Sequence, residues 1–144
     1  MKVLCAYPLV TTKNLQATRD FYVSHFGLEV IFEASWVVML GARSTGEISL
    51  GFMSSDHPTN PPGPEPFDGR GMIVTMQVED AAKALTALRR QGAAITYDLH
   101  DEPWGQRRFM TIDPAGILVD VVEQTVPAEG YWERFMPAAE EKAA

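Results

Sequence analysis

The strongest constraint on how this chain can fold is an internal repeat. A β-like run, LCAYPLVTT, leads into a helical segment from Asn14 to Phe26, and a second run, GMIVTMQV, leads into another from Asp80 to Gln91. Asn14 and Asp80 are suited to cap their helices, because a short side-chain oxygen can accept from first-turn amides that lack a partner. Gly27 and Gly92 follow as residues able to take positive φ at the helix ends. Leu15, Tyr22 and Phe26 in the first helix, and Ala81, Leu85 and Leu88 in the second, recur at spacings that give each helix one apolar face. Three short apolar segments then follow each helix: LEVIFE, WVVMLGA and ISLGFM in the first half, AITYDL, RRFMTI and ILVDVV in the second. The expected order is βαβββ, twice. A shift of 66 residues places Tyr7 on Ile73, Thr12 on Val78 and Asn14 on Asp80, and the agreement is one of element order and caps, not of residue identity.

Between the halves lies HPTNPPGPEPF, residues 57–67, which holds five of the ten prolines: Pro58, Pro61, Pro62, Pro64 and Pro66. Proline suits neither a helix interior nor a central strand, so this segment is expected to be an extended, semi-rigid linker. The chain thus divides into a module 1–54, a Pro-rich linker 55–69, a module 70–125 and a C-terminal tail 126–144, within a single domain of 144 residues. In the tail, Tyr131, Trp132, Phe135 and Met136 fall at helical spacing, and a helix docked on its own sheet, a flap over a cleft or a subunit contact would each use that stripe.

Composition narrows the partners. The formal net charge is −7 and the isoelectric point is near 4.9, which weighs against a nucleic-acid backbone and favours a cationic small ligand. No apolar run approaches a membrane span and the N-terminus lacks a signal-peptide layout, so a cytoplasmic protein is expected. Cys5 is the one cysteine. It cannot form an intrachain disulfide, and beside an apolar run it is expected to be buried and inert.

The segments YPLVTTKNLQATRDFY and FGLEVIFE, and later EPWGQRRFMTIDPAGILVDVVE, resemble the vicinal oxygen chelate superfamily, which comprises glyoxalases, bleomycin-resistance proteins and extradiol dioxygenases. The resemblance spans roughly residues 3 to 125, and the WG-x-R-x-F strand running into DPAG is most similar to the bleomycin-resistance branch. It implies an α+β fold of two βαβββ modules whose curled mixed sheets form a shared cleft, and a homodimer that binds a drug without transforming it.

Metal-dependent members of that superfamily place His, Gln or Glu at four strand positions. Here those positions align with Tyr7, Leu50, Ile73 and Asp120, of which only Asp120 is a usual ligand. No metal and no other cofactor is therefore expected. His25 is expected at a helix end, His57 in the linker and His100 in a loop, all away from the cleft strands. Glu47 and Glu123 are the nearest other carboxylates, at the wrong strand parity.

Strand alternation then gives the expected cleft lining. Tyr7 brings Leu9 and Thr11; Leu50 brings Ile48 and Phe52; Asp120 brings Leu118 and Val122. Trp36, Trp104 and Phe109 are the aromatic candidates, with Trp104 held between Pro103 and Gly105 on a constrained turn where it could stack on a planar ligand. Asp120 interrupts the apolar ILVDVV, and a buried carboxylate needs a partner: a cationic ligand group, or Arg107 or Arg108. The expected ligand-binding set is Tyr7, Leu9, Trp36, Leu50, Phe52, Trp104, Arg108, Phe109 and Asp120, with no catalytic or metal-binding residue. The expected function is metal-independent binding of a small organic molecule, a planar or cationic antibiotic in its sharpest form. The alternative is a metal-dependent lyase, isomerase or dioxygenase of the same superfamily, and a third reading is a non-catalytic partner-binding module.

Overall fold

A computed structural model describes residues 1–59 and 65–137. Pro61, Pro62 and Pro64 of the expected extended linker lie outside the described residues, as do residues 138–144 of the tail.

The first repeat forms β1 (Leu9–Thr12), α1 (Leu15–Phe26), β2 (Glu29–Ala34), β3 (Val37–Ala42) and β4 (Glu47–Ser54). The second forms β5 (Ile73–Gln77), α2 (Ala81–Arg90), β6 (Ile95–Glu102), β7 (Gln106–Ile112) and β8 (Leu118–Gln124). The expected βαβββ order therefore occurs twice. Each repeat builds a four-stranded sheet of the same topology, β1-β4-β3-β2 and β5-β8-β7-β6. In the first sheet β1 pairs parallel with β4, because the α1 connection returns the chain in the same direction, while β2–β3 and β3–β4 are antiparallel hairpins. Two compact units result, residues 1–72 with 113–118, and 73–112 with 119–144.

Within the first unit, α1 covers one face of its sheet. Tyr22 stacks on Phe52 with centroids 5.4 Å apart, and both side chains are fully buried. The cross-strand register puts Val10 and Val38 opposite Phe52, and Leu40 opposite Leu50, so these apolar residues form the core between helix and sheet. Burying an apolar side chain of this size contributes about 1.5–3 kcal/mol. The helix face differs slightly from expectation: Thr18, Phe21 and Tyr22 are its buried residues. Thr18 is tolerated there because its hydroxyl donates to the carbonyl of Asn14 at 2.7 Å.

Gly27 ends α1 in the left-handed region at φ 67°, as expected. Asn14 does not cap through its side chain; its amide donates instead to the Pro114 carbonyl at 2.9 Å. The DPAG turn to which Pro114 belongs is held by Asp113. Its Oδ1 accepts from the backbone N–H groups of Ala115 at 2.8 Å and Ile117 at 2.9 Å. Its Oδ2 accepts from the Tyr22 hydroxyl at 2.6 Å. Two segments that carry the family resemblance, 91 residues apart, thus meet in one buried hydrogen bond. Burial holds the Asp113 carboxyl above the usual carboxylate range, against the pull of these donors, and pushes the Tyr22 hydroxyl up as well.

In the second unit, α2 packs on β6 and β7. The Asp80 side chain accepts from the Lys83 N–H at 3.0 Å, the expected cap, and Glu123 reaches from β8 to accept from the N–H of Ala81 at 2.9 Å. Phe109, Thr111, Val119 and Val121 are fully buried, and the Thr111 hydroxyl donates to the carbonyl of Ala94, at the foot of α2. These odd-numbered positions of β7 and β8 are the helix-facing ones.

Two local expectations are corrected. Cys5 is exposed, not buried, because regular pairing starts only at Leu9. The tail forms a single 3-10 turn, Trp132–Arg134, and not a longer helix across the described residues. Gly130 at φ 77° and Pro137 bracket a segment too short to propagate an α-helix.

Candidate functional site

Alternation in β7 and β8 sends Arg108 and Asp120 to the face of the second sheet away from α2, and a polar cluster gathers around them. The Arg108 guanidinium lies between two carboxylates. Its Nη1 stands 3.5 Å from Asp120 Oδ2 and its Nε 3.8 Å from Glu102 Oε1. Two aromatic rings flank it, with the guanidinium carbon 5.2 Å from the Tyr97 centroid and 5.1 Å from that of Trp104, within cation–π range. The Tyr97 hydroxyl donates to Glu102 Oε1 at 2.7 Å. The side chains of Arg108, Glu102 and Asp120 are only 19%, 11% and 10% exposed.

This buried group is incompletely satisfied. Arg108 Nε and Asp120 Oδ1 are buried without a hydrogen-bond partner, and the Arg108–Asp120 contact is longer than the roughly 2.7–2.9 Å of a good charge-assisted bond. Burial, reinforced by the neighbouring Glu102 and opposed by Arg108, raises the Asp120 carboxyl above its ordinary range. The bond to Glu102 likewise raises the Tyr97 hydroxyl.

Local sequence explains how Trp104 reaches the cluster. Pro103, Trp104 and Gly105 form the β6–β7 turn. Gly105 has φ 104°, and a Cβ there would lie 2.9 Å from the Thr125 carbonyl, so only glycine fits. The turn is tied down by the Thr125 N–H donating to the Gly105 carbonyl at 2.8 Å and the Ala128 N–H donating to that of Pro103 at 2.8 Å. The Trp104 indole donates to Gln106 at 2.8 Å. From the tail, the Trp132 indole donates to the Trp104 carbonyl at 2.8 Å and the Tyr131 ring leans on that of Trp104.

Of the expected ligand-binding residues, Trp104, Arg108 and Asp120 come together here. Phe109, next to Arg108, takes the opposite parity and is sealed in the core. In the first unit the parity expected for Leu50 and Phe52 is reversed: both face α1, and the face away from the helix carries Leu9, Gly51, Met39 and Met53 in register. A Cβ on Gly51 would meet Met39 Sδ at 2.9 Å and Leu9 at 3.1 Å, which fixes that face. Leu9 and Tyr7 are 44% and 38% exposed at the start of that sheet, and Trp36 sits in the β2–β3 turn, where its carbonyl accepts from Ser54. His100 is corrected as well. It lies on β6 opposite Arg108, its ring stacked on Tyr97 at 4.7 Å and its Nδ1 2.7 Å from the Asp98 carbonyl.

Tyr97 and Glu102 were not anticipated from the sequence. Symmetry about Trp104 would have found the second of them: Glu102 pairs with Gln106 and His100 with Arg108, equally spaced on either side of the turn. Tyr97 escapes such counting because the register shifts between it and His100.

The metal-dependent pattern of the resemblance does not fit these residues. Among the described residues no group of three or more His, Cys, Asp or Glu side chains is placed to hold an ion. On this face the two carboxylates already share a guanidinium. A separate groove of about 710 Å³ in the first unit is lined by Lys13, His57, Glu65, Phe67 and Asp68 among other residues.

Residues 5–121 match the family described as the Glyoxalase/Bleomycin resistance protein/Dioxygenase superfamily. The chain belongs to this superfamily. Its fold is shared by a glyoxalase/bleomycin resistance protein/dioxygenase from Nocardioides, 19% identical over 90% of this chain and 87% of that one with a TM-score of 0.67. It is shared too by a lactoylglutathione lyase from Agrobacterium tumefaciens, 20% identical over 85% and 95% with a TM-score of 0.65. An integron cassette protein from V. cholerae is 16% identical over 85% and 97%, with a TM-score of 0.67. No curated protein matches the chain in sequence. At these identities the solved structures establish the superfamily fold, not a reaction.

Proposed function

We propose that this superfamily member binds a small organic molecule without a metal ion, on the face of its second sheet away from α2. Trp104 and Tyr97 supply apolar walls there, and Asp120 supplies the polar contact. The carrying observation is the buried charged cluster with an unused acceptor, Asp120 Oδ1, and an unused donor, Arg108 Nε. Buried polar groups left unpaired are costly in a structural core, and a ligand that supplies the missing partners recovers that cost. Planar and cationic molecules fit best, because the walls are aromatic and carboxylates outnumber guanidinium groups in the cluster. Sequestration of an antibiotic of that kind, in the cytoplasm and by a homodimer, is the biological role that agrees with the bleomycin-resistance resemblance. Among the described residues no helix is long and apolar enough to cross a membrane.

The test is thermal denaturation in the presence of a chelator across planar aromatic and cationic antibiotics, including a bleomycin-type glycopeptide. A ligand present at a hundred times its Kd stabilises by about 2.7 kcal/mol, or roughly 5–10 °C for a chain of this size. Trp104→Ala and Asp120→Asn should each abolish most of that shift. Stabilisation that appears only after a divalent ion is added would overturn this reading and favour a metal-dependent lyase, isomerase or dioxygenase.

A further inference from the structure

We propose that the Arg108 guanidinium is an internal occupant of a cage for organic cations, and that the ligand of this protein carries an amidinium, guanidinium or substituted ammonium group that displaces it. This rests on the reading of the second-sheet face as the binding site and names the chemistry that the site selects.

The surroundings of Arg108 are those of a cation receptor: two aromatic faces at 5.2 and 5.1 Å and two carboxylates at 3.8 and 3.5 Å. Arg108 fills this receptor poorly. A guanidinium built in as a structural ion pair forms a short, forked contact with its carboxylate. Arg107, on the neighbouring surface, does so with Asp101, at 2.6 Å from Nε and 3.3 Å from Nη2. Arg108 reaches neither of its carboxylates at such a distance, leaves its own Nε without a hydrogen bond at 3.8 Å from Glu102, and leaves Asp120 Oδ1 without a donor. Glu102 has its own satisfied contact in the Tyr97 hydroxyl, so the unmet demand is concentrated on Asp120. The better-made pair is thus on the exposed surface and the loosely made pair is inside the aromatic walls. That distribution suits a place-holder rather than an anchor.

Arginine is also able to leave. Its long stem lets the charged head swing towards water without moving β7. A ligand cation with two or more N–H donors could engage both oxygens of Asp120 while keeping the two ring faces occupied, which the tethered guanidinium does not manage. The exchange conserves charge in the cage, so no carboxylate is left buried without a counter-ion. A neutral planar molecule has no such route, because entering the cage would strand either Arg108 or the carboxylates.

Benzamidine and its neutral counterpart benzamide test this directly. Wild type, Arg108→Met and Arg108→Ala are titrated with each, reading the fluorescence of Trp104 in a Trp36→Phe, Trp132→Phe background. The proposal predicts that both Arg108 variants bind benzamidine at least tenfold more tightly than wild type, and that benzamide binds none of them. It also predicts that methylguanidine raises the Tm of Arg108→Ala and leaves wild type unchanged. Arg108→Met keeps most of the apolar stem and serves if Arg108→Ala does not fold. Benzamidine binding that is unchanged or weaker in both variants, or benzamide binding as tight as benzamidine, overturns the proposal. If only cation displacement is wrong, compounds from the antibiotic panel still stabilise wild type and lose that effect in Trp104→Ala. If the site itself is wrong, no compound of either set moves Trp104 fluorescence in any variant.

Discussion

Tyr22→Phe removes one oxygen from the interior and should be among the most costly conservative changes in the chain. The Tyr22 hydroxyl donates to Asp113 Oδ2 at 2.6 Å, and the residues are 0% and 4% exposed, so no water can take its place. Hydrogen bonds to charged groups contribute about 1.5–3 kcal/mol, and leaving the acceptor buried forfeits that amount. The ring's stack on Phe52 survives the substitution, and Asp113 Oδ1 keeps its two backbone donors. The expected loss is therefore confined to the hydroxyl, at about 2 kcal/mol, or a Tm lower by roughly 4–8 °C. The pH dependence follows from Asp113, whose carboxyl burial raises above its unfolded value. A carboxyl raised in this way costs stability once ionised: the cost is absent below the unfolded pKa, grows as the pH rises through the folded pKa, and is constant above it. Removing the Tyr22 donor raises that pKa further, so the penalty should be largest near neutral pH and shrink as Asp113 becomes protonated. Urea denaturation followed by circular dichroism, at neutral pH and stepwise down to about pH 4, measures both features. A penalty below about 0.5 kcal/mol, or one that does not change with pH, would refute the reasoning.

Other consequences are open to simpler measurements. Asp120→Asn should flatten part of the pH dependence of stability. Burial raises the Asp120 carboxyl, so wild type should lose stability relative to the variant as the pH climbs through its folded pKa, in matched thermal melts. Asp80→Ala removes the α2 cap and should cost about 0.5–2 kcal/mol by chemical denaturation, without affecting Trp104 fluorescence. Light scattering coupled to size exclusion should give a mass near twice 15.9 kDa. Leu9 and Ile73, 44% and 52% exposed, lie on the edge strands β1 and β5 of their sheets, the positions at which a second copy can add; a monomer at all concentrations would contradict the proposed dimer.

The topology was legible in the sequence because it is carried by local signals used twice. Asp80 and Gly27 act as the caps their chemistry suggests, and each apolar segment falls within a residue or two of its strand, except that β1 starts only at Leu9, five residues into LCAYPLVTT, and β6 runs on to Glu102. Side-chain direction was less legible. Strand alternation is reliable only once one residue is placed, and Leu50 and Phe52 were referred to the wrong face because their α1 partner, Tyr22, is distant in sequence. A register irregularity between Leu40 and Gly41 further breaks the counting along β3 and β4. The DPAG turn was recognised as a motif, yet its reason lies in Tyr22, 91 residues away. Asp120 was identified by the cost of a charge in an apolar strand, and its partner proved to be Arg108 rather than Arg107. Tyr97 and Glu102 carried no comparable anomaly, since a tyrosine and a glutamate are ordinary on an outer strand.

The most direct test of the binding account is titration of a protein in which Trp104 is the only tryptophan, made by Trp36→Phe and Trp132→Phe, with benzamidine in the presence of a chelator. The account predicts a saturable change in Trp104 fluorescence that needs no metal and is lost in Asp120→Asn. No change under the chelator, with a response restored by a divalent ion, would contradict it.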